Sequence, residues 1–194
     1  MIPHQPHLVL ASASPRRQEL MKLLQIDFEV IASQAVEESQ SNESPTRLVK
    51  RLAKTKAKIV QNERQNAWVV GADTIVVCNS EILGKPRSMT EAAAMLTKLS
   101  GQSHEVLTGI CIQYLQHCDL TYVSTTVSFS TLTKKEIEDY LITGESSDKA
   151  GAYGIQGYGS RFITGIKGCY FNVMGLPVSH LYKRLKSTGF LTNY

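Results

Sequence analysis

A single carboxylate in an otherwise apolar stretch is the sharpest chemical signal in this sequence. Asp73 interrupts the run from Trp68 to Cys78, which is nearly continuously apolar, as is typical of a strand covered on both faces. A buried carboxylate needs a paired cation or a metal ion. Gly71, two residues earlier, would let a second backbone or a ligand approach closely. We therefore interpret Asp73 as a functional residue.

A lysine stands on the apolar face of a predicted helix. The helix begins after Ser44, with Pro45 at its first position, and runs to about Gln61, and its apolar residues recur at the helical period. Lys56 lies in the middle of that apolar stripe. An ammonium group there must reach water or a fixed anion, so both snorkelling and a functional role explain it at this point.

Two arginines stand where a helix dipole disfavours them. A short apolar strand over residues 8–11 is followed by a helix with Ser14 as its N-cap and Pro15 at its first position. Arg16 and Arg17 fall in the first helical turn, which is the positive end of the dipole. An anion bound at this helix terminus would account for them. Two solvated surface arginines are the alternative.

Further polar residues lie in segments that are typical of loops. Glu37 and Glu38 belong to an acidic stretch that is either solvated or able to bring carboxylates to a hard cation. Lys85 stands between Gly84 and Pro86 in a turn. The glycine-rich stretch over 148–159 fits neither Gly-x-Gly-x-x-Gly nor Walker A, and its interspersed polar side chains favour a recognition loop over a merely flexible one.

These residue types together indicate phosphoanhydride chemistry. Cations stand at positions suited to phosphate, and carboxylates at positions suited to a metal ion. Such a set permits a divalent ion and basic side chains to neutralise phosphates while a carboxylate orients a water molecule. The residues alone therefore predict metal-assisted hydrolysis of a phosphorylated small molecule. The cations are Arg16, Arg17, Lys56 and Lys85, and the carboxylates are Glu38 and Asp73.

Composition bounds the remaining possibilities. The 194 residues suit one large domain or two closely joined lobes, and 42% hydrophobic with 20% charged residues is ordinary for a globular protein. No apolar run has the length of a bilayer span, and we expect no signal peptide. The four cysteines lack Cys-x-x-Cys spacing, which favours free thiols in a reducing cytoplasm. A net charge of +4 is too small and dispersed for a nucleic-acid stripe.

Periodicity and turn signals predict the remaining elements. After the first strand and helix we expect α and β elements to alternate, with two adjacent antiparallel strands in the second half. Thr133 and Glu136 form a capping-box pattern at the start of one helix. The predicted strands cover residues 28–32, 68–78, 104–115 and 120–132, with a hairpin turn at 79–80, and the predicted helices cover 90–99, 133–142 and 178–186.

Seven sequence blocks, in order across nearly the whole chain, resemble the Maf family of nucleotide pyrophosphatases. The resemblance implies an α/β fold like that of inosine triphosphate pyrophosphatases, with an elongated mixed β-sheet flanked by helices and two lobes around a deep cleft. It also implies that residues 1–194 form a single Maf-like domain. The blocks are Ser12-Ala-Ser-Pro-Arg-Arg17, Glu43-Ser-Pro45, Leu52-Ala-Lys-Thr-Lys-Ala57, Gly71-Ala-Asp-Thr74, Gly84-Lys-Pro86, Asp148-Lys-Ala-Gly-Ala-Tyr-Gly-Ile-Gln-Gly157 and Asn172-Val-Met-Gly-Leu-Pro177.

The same resemblance implies an activity and roles for individual residues. It implies cleavage of a nucleoside triphosphate to the monophosphate and pyrophosphate with a divalent cation, Mg²⁺ or Mn²⁺. Asp73 matches the proton acceptor that activates water for attack on the α-phosphate, and Glu38, with Asp73, matches the metal side. The catalytic set is completed by Lys56 and Lys85, and the phosphate-binding set is Ser12, Arg16 and Arg17.

Three positions sort the branches of the family. Arg16, Thr74 and Gln156 resemble the branch that acts on dTTP and UTP. A Gln side chain carries a donor and an acceptor, so it can pair with the O4 and N3–H edge of uracil or thymine. The alternatives are 7-methyl-GTP as substrate, or a nucleotide-binding regulator of septum formation. The resemblance also implies a homodimer, whereas cysteine usage favours the cytoplasm, and the modest charge and the lack of a bilayer-length apolar run argue against nucleic-acid and membrane partners.

Overall fold

The computed structural model describes residues 7–38 and 40–193. Its strands form one mixed sheet with the order β2-β1-β3-β5-β6-β7, and β4 pairs with β3. β1 is parallel to β2 and β3, whereas β4 is antiparallel to β3 and β7 to β6. The strands are β1 Leu8–Leu10, β2 Glu29–Val30, β3 Trp68–Cys78, β4 Glu81–Leu83, β5 Ser103–Tyr114, β6 His117–Phe129 and β7 Ile163–Lys167.

Helices alternate with these strands along the chain. They are α1 Pro15–Lys22, α2 Pro45–Glu63, α3 Met89–Leu99, α4 Lys134–Ile142, α5 Tyr170–Val173 and α6 Val178–Ser187. Short 3-10 helices follow α4, cover part of the glycine-rich stretch, and follow α6. The expected α/β class, with a mixed sheet and flanking helices, is confirmed. Within the described residues, no helix combines the length and apolarity that a membrane span requires.

Most predicted elements are present, and the differences have local causes. α3 begins at Met89, one residue before the predicted start, because the Ser88 hydroxyl accepts the Glu91 N–H at 3.1 Å and makes Ser88 its N-cap. β6 begins three residues earlier than expected, because Leu115 takes a positive φ of 50° in the turn after β5 without a glycine to signal it.

Three of the helices and strands lie outside the predicted ranges: β4, into which the predicted turn at 79–80 leads, β7 and α5. β7 pairs with β6 at the end of the sheet order, and most of its residues are exposed, so it carries no alternating apolar pattern. α5 is a single turn of four residues, too short for a helical period to register. β2 is confined to two residues, where the sequence predicted five.

Helix α2 packs so closely against the sheet that a Cβ atom on either of two sheet glycines would clash with the helix backbone. A Cβ atom on Gly71 of β3 would lie 2.2 Å from the Ala53 carbonyl oxygen and 2.7 Å from the Ala57 nitrogen. A Cβ atom on Gly109 of β5 would lie 2.2 Å from the Val49 carbonyl oxygen. Glycine is therefore needed at both positions for the helix to approach this closely.

The chain divides into two compact units. The first consists of the described residues of Met1–Asp73, Thr108–Val123 and Gly175–Tyr194, and the second of Thr74–Leu107 and Ser124–Met174. Buried apolar residues of β1, α2, β3 and β5 form a core cluster in the first unit. The second unit has a larger cluster, built from β3, α3, α4 and the aromatic residues Phe129, Tyr153 and Phe162.

Candidate active site

A buried ion pair joins Asp73 to Lys56. Strand side chains alternate between faces, so Asp73 points to the same face as Gly71, where α2 is packed. Lys56 Nζ donates to Asp73 Oδ1 at 2.6 Å, and each side chain is only 7% exposed. Lys56 is thus paired with an anion inside the first unit and does not snorkel to water. Because a buried ion pair contributes little to stability overall, a role for its charges is the better explanation.

Glu37 is a second carboxylate on the same lysine. Its Oε1 lies 2.6 Å from Lys56 Nζ, and its side chain is 47% exposed. The ammonium group therefore links a buried carboxylate to one that reaches solvent. The neighbouring Glu38 is exposed, and its backbone carbonyl accepts a hydrogen bond from Arg51 Nη2 at 2.8 Å. Its assignment to the metal stays a prediction.

Burial and charge act in opposite directions on Asp73. Removal from water raises the pKa of its carboxyl group above the ordinary value, and the nearby charges of Lys56 and Arg17 lower it again. Glu37 adds a smaller contribution that raises it. An aspartate with a raised pKa is a stronger base than one on the surface, which suits a group that must accept a proton.

The turn between β1 and α1 holds a serine and an arginine together. The buried Ser12 Oγ accepts the Ser14 N–H at 3.2 Å and the Arg17 Nη1–H at 3.4 Å. Arg17 Nε donates to the carbonyl oxygen of Gly175 at 2.9 Å, which fixes the guanidinium from its other side. Burial lowers the pKa of Arg17, and the charges of Asp73 and Glu37 raise it. The guanidinium therefore lies within the electrostatic reach of both carboxylates.

The structure brings some of the predicted residues together. Ser12 contacts Arg17, Lys56 contacts Asp73, and the half-buried Arg16 precedes Arg17 in the first turn of α1, all in the first unit. Ser14 is the N-cap residue of α1 as expected, but its side chain makes no capping hydrogen bond.

The other predicted residues belong to the second unit. Thr74 is half-buried on β3, Lys85 is exposed just after β4, and Gln156 is exposed in the glycine-rich stretch. The Gly151 N–H donates to the Gly84 carbonyl at 3.0 Å, so the turn with Lys85 is bonded to the glycine-rich stretch.

The donor chemistry suits a hard divalent cation. Asp73 and Glu37 both place a carboxylate oxygen on one ammonium group, and carboxylates are the ligands that Mg²⁺ prefers. No group of three or more potential ligands among His, Cys, Asp and Glu occurs in residues 7–38 and 40–193. Mg²⁺ is usually held by one or two carboxylates with substrate phosphates completing its shell, so two carboxylates fit.

Two contacts of the site were not assigned from the sequence. Glu37 was considered as a ligand beside Glu38, but loops have no period that tells which of two adjacent side chains faces a site. The Gly175 carbonyl that binds Arg17 lies in the block Asn172–Pro177, which the sequence singled out without giving it a role. Gly175 has a φ of 110°, which explains the glycine.

Comparison with known proteins identifies the family. The family model described as Maf-like protein matches residues 7–188. The chain is a member of the Maf family. The resemblance drawn from the seven sequence blocks is thereby confirmed, and the Asp73–Lys56 pair lies within two of those blocks.

Relatives within the Maf family match almost the whole chain. A protein named dTTP/UTP pyrophosphatase from Geobacillus sp. (strain WCH70) is 47% identical over 182 residues, which are 94% of this chain and 98% of the relative. A protein of the same name from Desulforamulus reducens is 48% identical over 184 residues, 94% and 96% of the two chains. Among solved structures, the Staphylococcus aureus Ham1 protein matches 94% of this chain and 99% of its own, with a TM-score of 0.47 and 12% identity.

Proposed function

We propose that this Maf protein hydrolyses dTTP and UTP to the nucleoside monophosphate and pyrophosphate. Family membership and relatives named dTTP/UTP pyrophosphatase support this substrate class. The structural observation that carries the proposal is the buried Asp73–Lys56 pair, since a protein that only bound nucleotides would not need a poised carboxylate.

In the proposed reaction, Asp73 accepts a proton from the water molecule that attacks the α-phosphorus. The bond between the α-phosphorus and the α,β-bridging oxygen then breaks, and pyrophosphate leaves with the electron pair. Lys56, Lys85 and Arg17 stabilise the negative charge on the phosphates, and Ser12 holds Arg17 in place. Arg16 is the remaining residue of the proposed phosphate-binding set.

A divalent cation, Mg²⁺ or Mn²⁺, completes the proposal. Asp73 and either Glu37 or Glu38 would hold it, and when bound it neutralises phosphate charge. The family resemblance favours Glu38 as this ligand. Glu37 is a second candidate, because its carboxylate contacts Lys56, which also binds Asp73.

Base choice is proposed to depend on Arg16, Thr74 and Gln156. The exposed amide of Gln156 offers both N–H donors and a carbonyl acceptor, as the O4 and N3–H edge of a pyrimidine requires. We further propose that the whole chain acts as one Maf domain, and that it works in the cytoplasm, where its cysteines would stay free thiols, as they are in the structure.

A nucleotide panel tests the proposal. Purified protein is given dTTP, UTP, CTP, GTP, ITP and 7-methyl-GTP with Mg²⁺ or Mn²⁺, and products are identified by chromatography. We expect monophosphate and pyrophosphate from dTTP and UTP, and no turnover by Asp73→Asn. Preferred turnover of a purine nucleotide would contradict the base assignment alone. Binding without turnover of any nucleotide would contradict the enzymatic function and support the regulator.

A further inference from the structure

The glycine-rich stretch with Gln156 is tied at its near end to a buried tyrosine. Tyr140, on α4, is fully buried, and its ring packs edge-on against Phe162. Its hydroxyl group accepts the N–H of Gly154 at 3.2 Å and donates to Glu145 Oε1 at 3.0 Å. The backbone two residues before Gln156 is therefore fixed to the tyrosine.

The far end of the same stretch is tied to Glu145. Its Oε2 accepts the Tyr158 N–H at 2.7 Å, and its Oε1 accepts the Gly159 N–H at 3.2 Å. Hydrogen bonds to a carboxylate are stronger than those between neutral groups. Because the Tyr140 hydroxyl binds this carboxylate, the chain on both sides of Gln156 is held by one tyrosine–glutamate pair.

The glycines of the stretch pack around this pair. A Cβ atom on Gly157 would lie 2.0 Å from Glu145 Oε2, and one on Gly154 would lie 2.7 Å from Oε1. A Cβ atom on Gly159 would lie 2.6 Å from the Gly154 carbonyl oxygen and 3.2 Å from the Tyr140 hydroxyl. Close packing around the glutamate, and not looseness of the chain, thus accounts for glycine at these positions.

The backbone of Glu145 is itself held in place by hydrogen bonds to neighbouring side chains. Gly144 has a φ of 72°, which turns the chain sharply after α4. The Glu145 N–H donates to Thr143 Oγ1 at 3.2 Å, and its carbonyl accepts a hydrogen bond from Lys149 Nζ at 2.7 Å. The carboxylate is therefore presented from a fixed backbone.

We propose that Tyr140 and Glu145 are positioning residues that hold the amide of Gln156 in the orientation that selects a pyrimidine base. This rests on the proposed function, in which Gln156 faces the O4 and N3–H edge of the substrate. Without the pair, the stretch between residues 154 and 158 would have to be ordered by each substrate molecule, and that ordering would weaken binding. The pair acts on binding and base choice through the loop, because its hydrogen bonds go to the backbone of that stretch.

Two variants and two matched controls test the inference. Tyr140→Phe removes one hydroxyl and keeps the buried ring, and Glu145→Gln keeps the shape but removes the charge. Tyr182→Phe changes an exposed tyrosine on α6, and Glu136→Gln changes the carboxylate at the third position of α4, where Gln also satisfies the capping box with Thr133. Each protein is first checked for its melting temperature. KM and kcat are then measured for dTTP, UTP and GTP.

We expect both loop variants to raise KM for dTTP and UTP by about tenfold, to change kcat less than about twofold, and to leave kcat/KM for GTP unchanged. The controls should match the wild type. A uniform loss of kcat for every nucleotide would show a merely structural role and overturn the inference, as would unchanged KM in Tyr140→Phe, the variant that keeps the core packing. Absence of dTTP turnover by the wild type would overturn the proposed function and this inference with it.

Discussion

The charge state of Asp73 depends on which of its surroundings dominates. Burial raises the pKa of the carboxyl group, and Lys56, bonded to it at 2.6 Å, is the largest of the influences that lower it. The two effects are separable by mutation, because the lysine charge can be removed while the burial of Asp73 is retained.

Removal of the Lys56 charge should move the acid limb of the pH–rate profile. In Lys56→Gln, Asp73 loses the cation that lowers its pKa, so the carboxyl group should ionise only at higher pH. We expect lower activity at every pH and an acid limb of kcat/KM for dTTP that shifts upward by about one pH unit or more. The measurement is kcat/KM across pH 4–9.

A conservative control separates charge from contact. Lys56→Arg keeps the positive charge and should leave the acid limb close to that of the wild type, even if the longer side chain lowers the rate. An unshifted acid limb in Lys56→Gln would mean that Asp73 is not the group whose ionisation limits the reaction.

For individual residues, the sequence was informative where a charged side chain stands at a position that the pattern makes apolar. Asp73 and Lys56 were predicted as functional candidates because each is charged at a position whose period is apolar, and the structure pairs them. The contact of Glu37 with Lys56 was not predicted, because a loop has no period that gives the direction of its side chains.

Among the elements, α2 depends on glycines where it contacts the sheet, and Gly71 of β3 is the one two residues from Asp73. The backbone of α2 at Ala53 and Ala57 lies where a Cβ atom of residue 71 would be, so the helix cannot keep its position with any larger residue there. The same approach brings Lys56 within bonding distance of Asp73.

Gly71→Ala should therefore destabilise the protein and weaken catalysis together. We expect a loss of about 3 kcal/mol in the free energy of unfolding, because α2 must move away from β3. The measurement is urea denaturation. Gly165→Ala on β7 is the matched control, since its Cβ atom would meet nothing within 4 Å, and it should change stability by less than about 1 kcal/mol. Equal stability of the two variants would contradict the packing described for α2.

Elements marked by capping residues or by apolar periodicity could be predicted from the sequence. An element that depends on backbone pairing with a strand distant in the chain could not. The capping box of Thr133 and Glu136 is present as expected, with both of its hydrogen bonds. β7 was missed because its backbone pairing with β6 holds it, and its own exposed residues lack the alternation that a half-buried strand shows.

For the molecule as a whole, the buried His104 and the half-buried His180 contribute to the response to acid. His104 is buried with its Nε2 atom 2.7 Å from the Tyr153 hydroxyl, and burial lowers its pKa to about 4. Burial also lowers the pKa of His180. Both groups therefore bind protons less readily in the folded state than in the unfolded chain.

Stability should consequently fall as the pH drops from about 6.5 to about 4, because the unfolded chain takes up protons that the folded protein does not. The contribution of His104 is on the order of 3 kcal/mol across that window, and it is fully present above the window. The measurement is the free energy of unfolding at several pH values.

A pair of histidine variants assigns the effect. His104→Gln should be less stable at neutral pH but should lose much of the slope, whereas His117→Gln, at an exposed position on β6, should keep the wild-type slope. An unchanged slope in His104→Gln would contradict the neutral buried imidazole.

The order of the strands in the sheet could not be predicted from the sequence pattern. The arrangement β2-β1-β3-β5-β6-β7 joins residues far apart in the chain, and periodicity reports only which face of a strand is buried. The class of the fold and the identity of the family were predictable because local patterns and motifs carry them.

The role of Asp73 in activating water is tested most directly by hydrolysis of dTTP in water labelled with oxygen-18, with each product analysed by mass spectrometry. Attack on the α-phosphorus by a water molecule that Asp73 activates places one labelled oxygen in dTMP and leaves pyrophosphate unlabelled, and Asp73→Asn should yield neither product. Label in pyrophosphate, or release of dTDP and inorganic phosphate, would contradict attack of water on the α-phosphorus.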